Sequence, residues 1–346
     1  MPATEPSPGI RVPLRKGEAF RKALVSGGAL DPSRKVCSDR NYVYLPVKEL
    51  DRESLQLIAG LGEYEPISHQ FAMDRRRVTV EDLLGRRTTY EVVGDIAIVE
   101  DPEEKRAAEA IMAVHHSVRT AIAPESEVEG EFRTRRFRHV AGEERTTTTH
   151  REHGLQYRID LQGAYFTPRL GTERLRVAEQ IEPGQTVLDM FAGVGPFALL
   201  YARRGARVVA VDKNPVAVSY LRENARLNRL EVEIREGDAA ALALEFRDSM
   251  DRVIMNLPHC ASRFLEPAML AAKDGGVIHY YTFAPDDDLY RDRKVVEEAA
   301  VRLGFRVEFL YQGVVRSYSP RQSNVVLDFQ VVKSGVTSIA IKGSRN

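Results

Sequence analysis

Cysteine is almost missing from this chain of 346 residues. Two cysteines, Cys37 and Cys260, exclude a disulfide framework, provide no CxxC zinc pattern and fit a reducing compartment. Long hydrophobic runs are missing as well. No stretch of about 18 apolar residues occurs, so no membrane span is expected. The opening Met1–Ile10 has no apolar segment of the secretory kind, which predicts a cytoplasmic protein. Net charge is the third absence: 50 Lys+Arg balance 50 Asp+Glu. That balance excludes a uniform polycation gripping nucleic acid over its whole surface.

What is present is uneven. Arg75-Arg76-Arg77, the cluster Arg133, Arg135, Arg136 and Arg138, and Arg151 crowd the first half. Arginine suits bidentate phosphate contacts, although the base composition of a genome produces the same bias. Length allows two or three domains. Residues 1–60 read as a small α/β module, with a disordered Pro-rich tip, an amphipathic helix over Gly17–Ala29 and a strand over Tyr42–Val47. Residues 61–78 read as a linker. Residues 79–164 read as an α+β domain, with helices over Val80–Leu84 and Glu103–Val114. Its strands are expected over Tyr90–Val99, Phe137–Val140, Thr146–His150 and Leu155–Leu161, with a turn at Gly142-Glu-Glu144. From residue 165 to 346 short apolar runs alternate with helical segments, which predicts a mainly parallel sheet. Only the loop Gln312–Ser323 separates the last two strands, so they should pair antiparallel. The fold class is therefore α/β, a Rossmann-like class I methyltransferase domain closed by an antiparallel hairpin and preceded by two smaller α+β domains.

The segment Val187-Leu-Asp-Met-Phe-Ala-Gly-Val-Gly-Pro-Phe197 is a buried strand, a Gly-rich turn and a helix start. Gly193 and Gly195 allow backbone angles and close ligand approach that a Cβ would block. Asp212 ends the next strand, where a carboxylate can hold two ribose hydroxyls. Asp238 ends the third, where it can accept from an adenine amino group. Asp, Gly-x-Gly, Asp and Gly-Asp at successive strand ends point to S-adenosylmethionine (AdoMet) rather than a nicotinamide dinucleotide. Asp189, Phe191, Gly193, Gly195, Asp212, Lys213, Asp238, Ala239 and Asn256 are the expected cofactor-binding residues. Asn256-Leu-Pro-His259 follows the fourth strand and resembles the tetrad of enzymes that methylate a planar ring nitrogen. Asn256 offers a donor and an acceptor to the edge of a base, and Pro258 fixes the turn. His150 and His153 have the look of a metal pair but no partner cluster, so no metal is expected.

Tyr165-Phe-Thr-Pro-Arg-Leu-Gly-Thr-Glu-Arg174 resembles the signature of the archaeal and eukaryotic tRNA guanine-37 N1-methyltransferases. His150-Arg-Glu-His-Gly154, Asp189–Phe197, Asn256-Leu-Pro and Val315-Arg-Ser-Tyr-Ser-Pro320 match that family in the same order. Lys16-Gly-Glu-Ala-Phe-Arg21 and the Tyr42–Val47 strand are more loosely similar to its tRNA-elbow-binding module. The resemblance implies tRNA as the partner, held at the anticodon loop and the elbow; a single bound base and a self-contained fold point to a monomer. The resemblance also implies AdoMet as cofactor, with Tyr165 and Arg169 added to its site, Arg169 on the AdoMet carboxylate. Guanine N1 carries a proton at neutral pH, so attack needs a base and a cation for the charge that develops on O6. The resemblance gives Glu173 the first role, Arg133 the second and Asn256 the hold on the base edge. Spacing alone does not choose Arg133 over Arg135 or Arg136, and all three, with Pro258, are expected to touch the RNA. A related wyosine-pathway enzyme would instead transfer the aminocarboxypropyl group of AdoMet or methylate a wyosine intermediate. A non-catalytic AdoMet- and RNA-binding protein is the reading from another class.

Overall fold

The computed structural model describes residues 6–49, 56, 58–73, 78–128 and 130–333. Arg75, Arg76 and Arg77 lie outside the described residues. Among the described residues no helix is long and apolar enough to cross a membrane.

The chain divides into two units, residues 1–90 with 99–117 and residues 91–98 with 118–346. The first holds a four-stranded antiparallel sheet in the order Cys37–Ser38, Tyr42–Pro46, Ser7–Pro13, Glu65–His69. The helix Gly17–Ser26 lays Phe20 and Leu24 onto Ile10, Val12 and Leu45 of that sheet. Two expectations are corrected here. The Pro-rich opening, read as disordered, gives way at Ser7 to an inner strand, Ser7–Pro13, whose Ile10 and Val12 are wholly buried on either side of the half-buried Arg11. Within 61–78, read as a linker, Glu65–His69 adds to the edge of that strand. The helix Val80–Leu84 starts where expected, closed by a Thr79–Asp82 capping box.

The second unit opens on strands Ile96–Val99, Thr120–Pro124 and Phe137–Gly142. The expected single strand Tyr90–Val99 is two, Tyr90–Val93 and Ile96–Val99. Gly94 takes a left-handed φ of 59° at the break, and a Cβ there would strike Thr148 Oγ1 at 2.1 Å. Thr120–Pro124 escaped the sequence reading, since its short Thr-Ala-Ile-Ala-Pro run has little alternation. A separate hairpin follows, Thr147–Glu152 with Leu155–Asp160.

The sheet that carries the site has seven strands. Their order is Glu233–Glu236, Arg207–Asp212, Thr186–Asp189, Met250–Met255, Ala272–Pro285, Gln322–Lys333, Phe305–Ser319. The first five are parallel, and Gln322–Lys333 runs antiparallel to both of its neighbours. This is the expected class I methyltransferase arrangement. The loop expected over Gln312–Ser323 is shorter, because the strands continue until Ser319 pairs with Gln322. Strand order reverses between Thr186–Asp189 and Met250–Met255, and the carboxyl ends of the parallel strands open a crevice there.

Candidate active site

The first strand ends at Asp189, and the turn after it is left-handed at both glycines, with φ 55° at Gly193 and 95° at Gly195. The two do different work. A Cβ on Gly193 would meet only the Tyr165 carbonyl oxygen, at 3.8 Å, so this position faces open space. A Cβ on Gly195 would run into Leu221 at 2.3 Å and Leu199 at 3.1 Å, so Gly195 lets helices close on the turn. Asp212 latches the turn from the second strand. Its two oxygens accept the Gly193 N–H at 2.7 Å and the Asn214 N–H at 2.8 Å.

A cavity forms around this latch. The strand ends supply Phe191, Gly193, Asp212, Lys213, Asp238, Ala239 and Asn256 to its wall, while Asp189 and Gly195 of the expected set do not line it. Tyr165 and Arg133 close it from the other side. Asp238 commits one oxygen to capping the helix Ala239–Ala243, accepting from Ala240 and Ala241. The shape suits AdoMet: a side chain at Gly193 would fill the cradle, and acidic residues stand at the second and third strand ends.

Asp189 precedes the wall residues Met190 and Phe191 in the chain and is fully buried. Its Oδ2 has no hydrogen-bond partner. Burial, with a smaller push from Asp212, raises its carboxyl to about 7, against the pull of the Phe191 and Ala198 N–H groups. The unfolded chain ionises this group near pH ~3.9. The folded state therefore loses stability as pH rises from there to about 7 and is level above. Asp189→Asn should raise the melting temperature at pH 8 and leave it unchanged at pH 3, where the carboxyl is protonated in both folded and unfolded chains. Equal shifts at both pH values would show that the carboxylate is not strained by burial.

On the side that would face a target base, Asn256 and Leu257 line the cavity and Pro258 does not. Arg133 holds its guanidinium 5.4 Å from the centre of the Tyr165 ring. Neither Arg135 nor Arg136 reaches the wall, so the cavity distinguishes Arg133 within a cluster that spacing could not resolve. Arg169, expected on the AdoMet carboxylate, lies off the wall with its Nε 3.4 Å from Glu91. Arg174 is there instead. It is buried, donates from Nε and Nη2 to the two Glu152 oxygens at 2.7 Å, and also reaches the Thr167 carbonyl. The helical period carried that signal: Arg174 is four residues after Leu170, and both line the cavity.

Glu173 is the next residue back and points elsewhere. It is only 8% exposed and is not part of the cavity wall. Arg176 grips both its oxygens at 2.7 and 2.8 Å, and the Tyr281 hydroxyl donates to it at 2.7 Å. Arg176 in turn donates to Asp328 at 2.7 Å, and Asp328 meets His279 Nδ1 at 2.8 Å. Arg252 has only donors and lies 3.1 Å from His279 Nε2, so that nitrogen accepts and the ring proton sits on Nδ1. The carboxylate thus heads a buried chain of alternating charge that fixes its orientation.

Residues 148–308 match the TRM5/TYW2 methyltransferase domain. Residues 9–55 match the tRNA methyltransferase 5 N-terminal domain, and residues 75–146 the TYW2 N-terminal domain. The tRNA (guanine(37)-N(1))-methyltransferase Trm5b of Pyrococcus abyssi is 40% identical, over 93% of this chain and 98% of its own. The tRNA(Phe) (4-demethylwyosine(37)-C(7)) aminocarboxypropyltransferase of Pyrococcus horikoshii is 30% identical, over 70% of this chain and 88% of its own. Among solved structures, the complex of aTrm5 and tRNALeu aligns with a TM-score of 0.66 at 32% identity, covering 93% of this chain and 99% of that one. Other solved neighbours hold adenosine, MeSAdo or AdoMet.

Proposed function

Since the chain belongs to the TRM5/TYW2 methyltransferase family, we infer that it transfers a methyl group from AdoMet to N1 of guanine 37 in tRNA. The observation that carries this reading is the meeting of Arg133, Tyr165 and Asn256 on one cavity with the acidic strand ends. Bound AdoMet supplies an electrophilic methyl. The protein's share is to orient the base, remove its N1 proton and steady the charge on O6. Asn256 holds the base edge, Arg133 faces O6, and Glu173 takes the proton once its carboxylate turns from Arg176 towards the cavity. Asp212 and Asp238 hold the adenosine, and Arg174 rather than Arg169 is suited to the AdoMet carboxylate.

Methyl transfer is favoured over aminocarboxypropyl transfer by coverage. The guanine methyltransferase relative spans the chain, including the module at residues 9–55, while the wyosine relative leaves about a third unmatched. Incubation with labelled AdoMet and an unmodified tRNA transcript should yield N1-methylguanosine. A product heavier by an aminocarboxypropyl group would overturn the reading.

Arg133→Ala should lower single-turnover transfer by roughly 10²-fold, and Arg135→Ala by much less. Equal losses would return the cluster to a general RNA-contact role. We assign the four-stranded sheet module, which takes in Glu65–His69, to the tRNA elbow, residues 79–164 to the RNA backbone and residues 165–346 to catalysis. In the full-length protein an isolated anticodon stem-loop should therefore react more slowly than intact tRNA. Equal rates would remove the elbow contact. One chain carries the whole cavity, which supports a monomeric enzyme, and we place its work on tRNA in the cytoplasm. Light scattering on the purified protein tests the first point.

A further inference from the structure

The strand Ala272–Pro285 overruns its parallel neighbour. Met255, the last residue of the fourth strand, pairs with Tyr280, so Tyr281–Pro285 project past it alongside the Asn256-Leu-Pro-His259 turn. Side chains alternate along a strand. Tyr281 and Phe283 therefore share a face, and Tyr281 is the residue whose hydroxyl holds Glu173. Phe283 stands two residues further on, about 7 Å along the strand.

Three rings gather at that point. Phe283 and Tyr318 lie with centroids 4.0 Å apart at 34°. His259 packs edge-on to both, at 4.6 Å from Phe283 and 5.8 Å from Tyr318. Phe283 forms the buried floor at 9% exposure, while Tyr318 is 41% exposed and His259 is exposed. An apolar ring so placed costs solvation, and nothing in the cofactor cavity uses these three residues. Tyr318 comes from the far end of the Phe305–Ser319 strand, within the Val315–Pro320 segment that the reaction has not accounted for. Cations flank it. Arg316 lies two residues before Tyr318 and its Nε is buried with no hydrogen-bond partner. Arg321 sits exposed at the hairpin tip, with a left-handed φ of 63°.

We propose that Tyr318, His259 and Phe283 form a stacking platform for the unpaired anticodon-loop base next to the reacting guanine, with Arg316 and Arg321 facing its phosphate. The proposal rests on the tRNA-methyltransferase reading above. Aromatic faces beside arginines are the combination that binds single-stranded nucleic acid, since every base offers a π-face and every nucleotide a phosphate. The platform adjoins the turn that holds the target base and lies on the sheet face that carries Glu173. A base splayed into the cavity breaks its own stack, and the platform gives the neighbour a new one.

The test pairs a protein variant with an RNA variant. Single-turnover methyl transfer is measured with intact transcript and with transcripts abasic at position 36 or at position 38. For the wild type, one of the two abasic transcripts should lose roughly 5- to 100-fold in kcat/KM. Tyr318→Ala should show a loss of that size with intact tRNA, and no additional loss with that abasic transcript. Tyr318→Phe, which keeps the ring, should match the wild type. His259→Ala provides the same cycle should Tyr318→Ala fold poorly, and AdoMet affinity reports folding in each case. Identical abasic penalties in wild type and both alanine variants would overturn the platform. A wild type that transfers no methyl to guanine N1 would instead sink the functional reading, so the two failures are distinguishable.

Discussion

Glu173→Gln should reduce single-turnover methyl transfer by roughly 10²- to 10⁴-fold, the range lost when a positioned general base is removed. Glutamine keeps the shape of the side chain. Its carbonyl oxygen can still accept from Tyr281 and from one arm of Arg176, and Arg176 retains Asp328. One acceptor becomes a donor facing the Arg176 Nε, a local cost of about 1–3 kcal/mol that lowers the melting temperature without unfolding the domain. Because Glu173 is outside the cavity wall, AdoMet and tRNA affinities should be unchanged. A fall confined to the chemical step supports the base; an unaltered step removes that role from Glu173. Tyr281→Phe is the useful comparison. It deletes one hydrogen bond to the same carboxylate and should cost no more than about tenfold. If it equalled the glutamine variant, orientation rather than proton removal would be the function of Glu173.

The parallel sheet was legible because each strand is a short apolar run between helical periods, and its strand-end acids sit where a chain of that pattern must place them. Gly193 and Asp212 needed only local sequence. The misreadings have a common cause: each depended on what lay across from a segment rather than within it. Ile10 and Val12 sit among prolines and look like a tail until strands Tyr42–Pro46 and Glu65–His69 flank them. Tyr90–Val99 is apolar at both ends, and the Gly94-Asp95 pair inside it carries the break, which the crowding of Gly94 against Thr148 fixes. In the site, Arg169 and Arg174 are equally plausible anion holders by charge. The helix period separates them, together with Glu91, which pairs with the first, and Glu152, which orients the second. Arg133 emerges from its cluster only through the fold, which brings it over Tyr165. The Phe283–Tyr318–His259 contact joins residues far apart in sequence, and no spacing rule reaches it.

Glu152→Ala should destabilise the protein by about 3–5 kcal/mol, the cost of leaving a buried arginine without its partner. The pair is dry: the side chains of Arg174 and Glu152 are 2% and 9% exposed. Gly171 is part of the same device, since a Cβ there would approach the Glu152 carboxylate to 3.0 Å. His153, at a left-handed φ of 49°, places Nε2 2.8 Å from the Gly171 carbonyl, where it can donate. The His150–Gly154 motif is thus a clamp on the start of the helix that carries Glu173 and Arg174. Burial works against the Glu152 charge, but the contacts from His150 and Arg174 outweigh it and hold the carboxyl at about 2. Its folded value is depressed below the ~4.3 of an unfolded chain, so the clamp's stabilisation is complete above that pH and is lost as pH falls towards about 2. Glu152→Gln should flatten the stability profile in that acid window, measured by chemical denaturation. A double variant separates structure from binding. Glu152→Leu with Arg174→Met replaces the ion pair by apolar contact and should regain most of the stability. It should not regain AdoMet affinity, because the arginine on the cavity wall is gone. Recovery of both would make Arg174 a strut alone, and the cofactor carboxylate would need another partner.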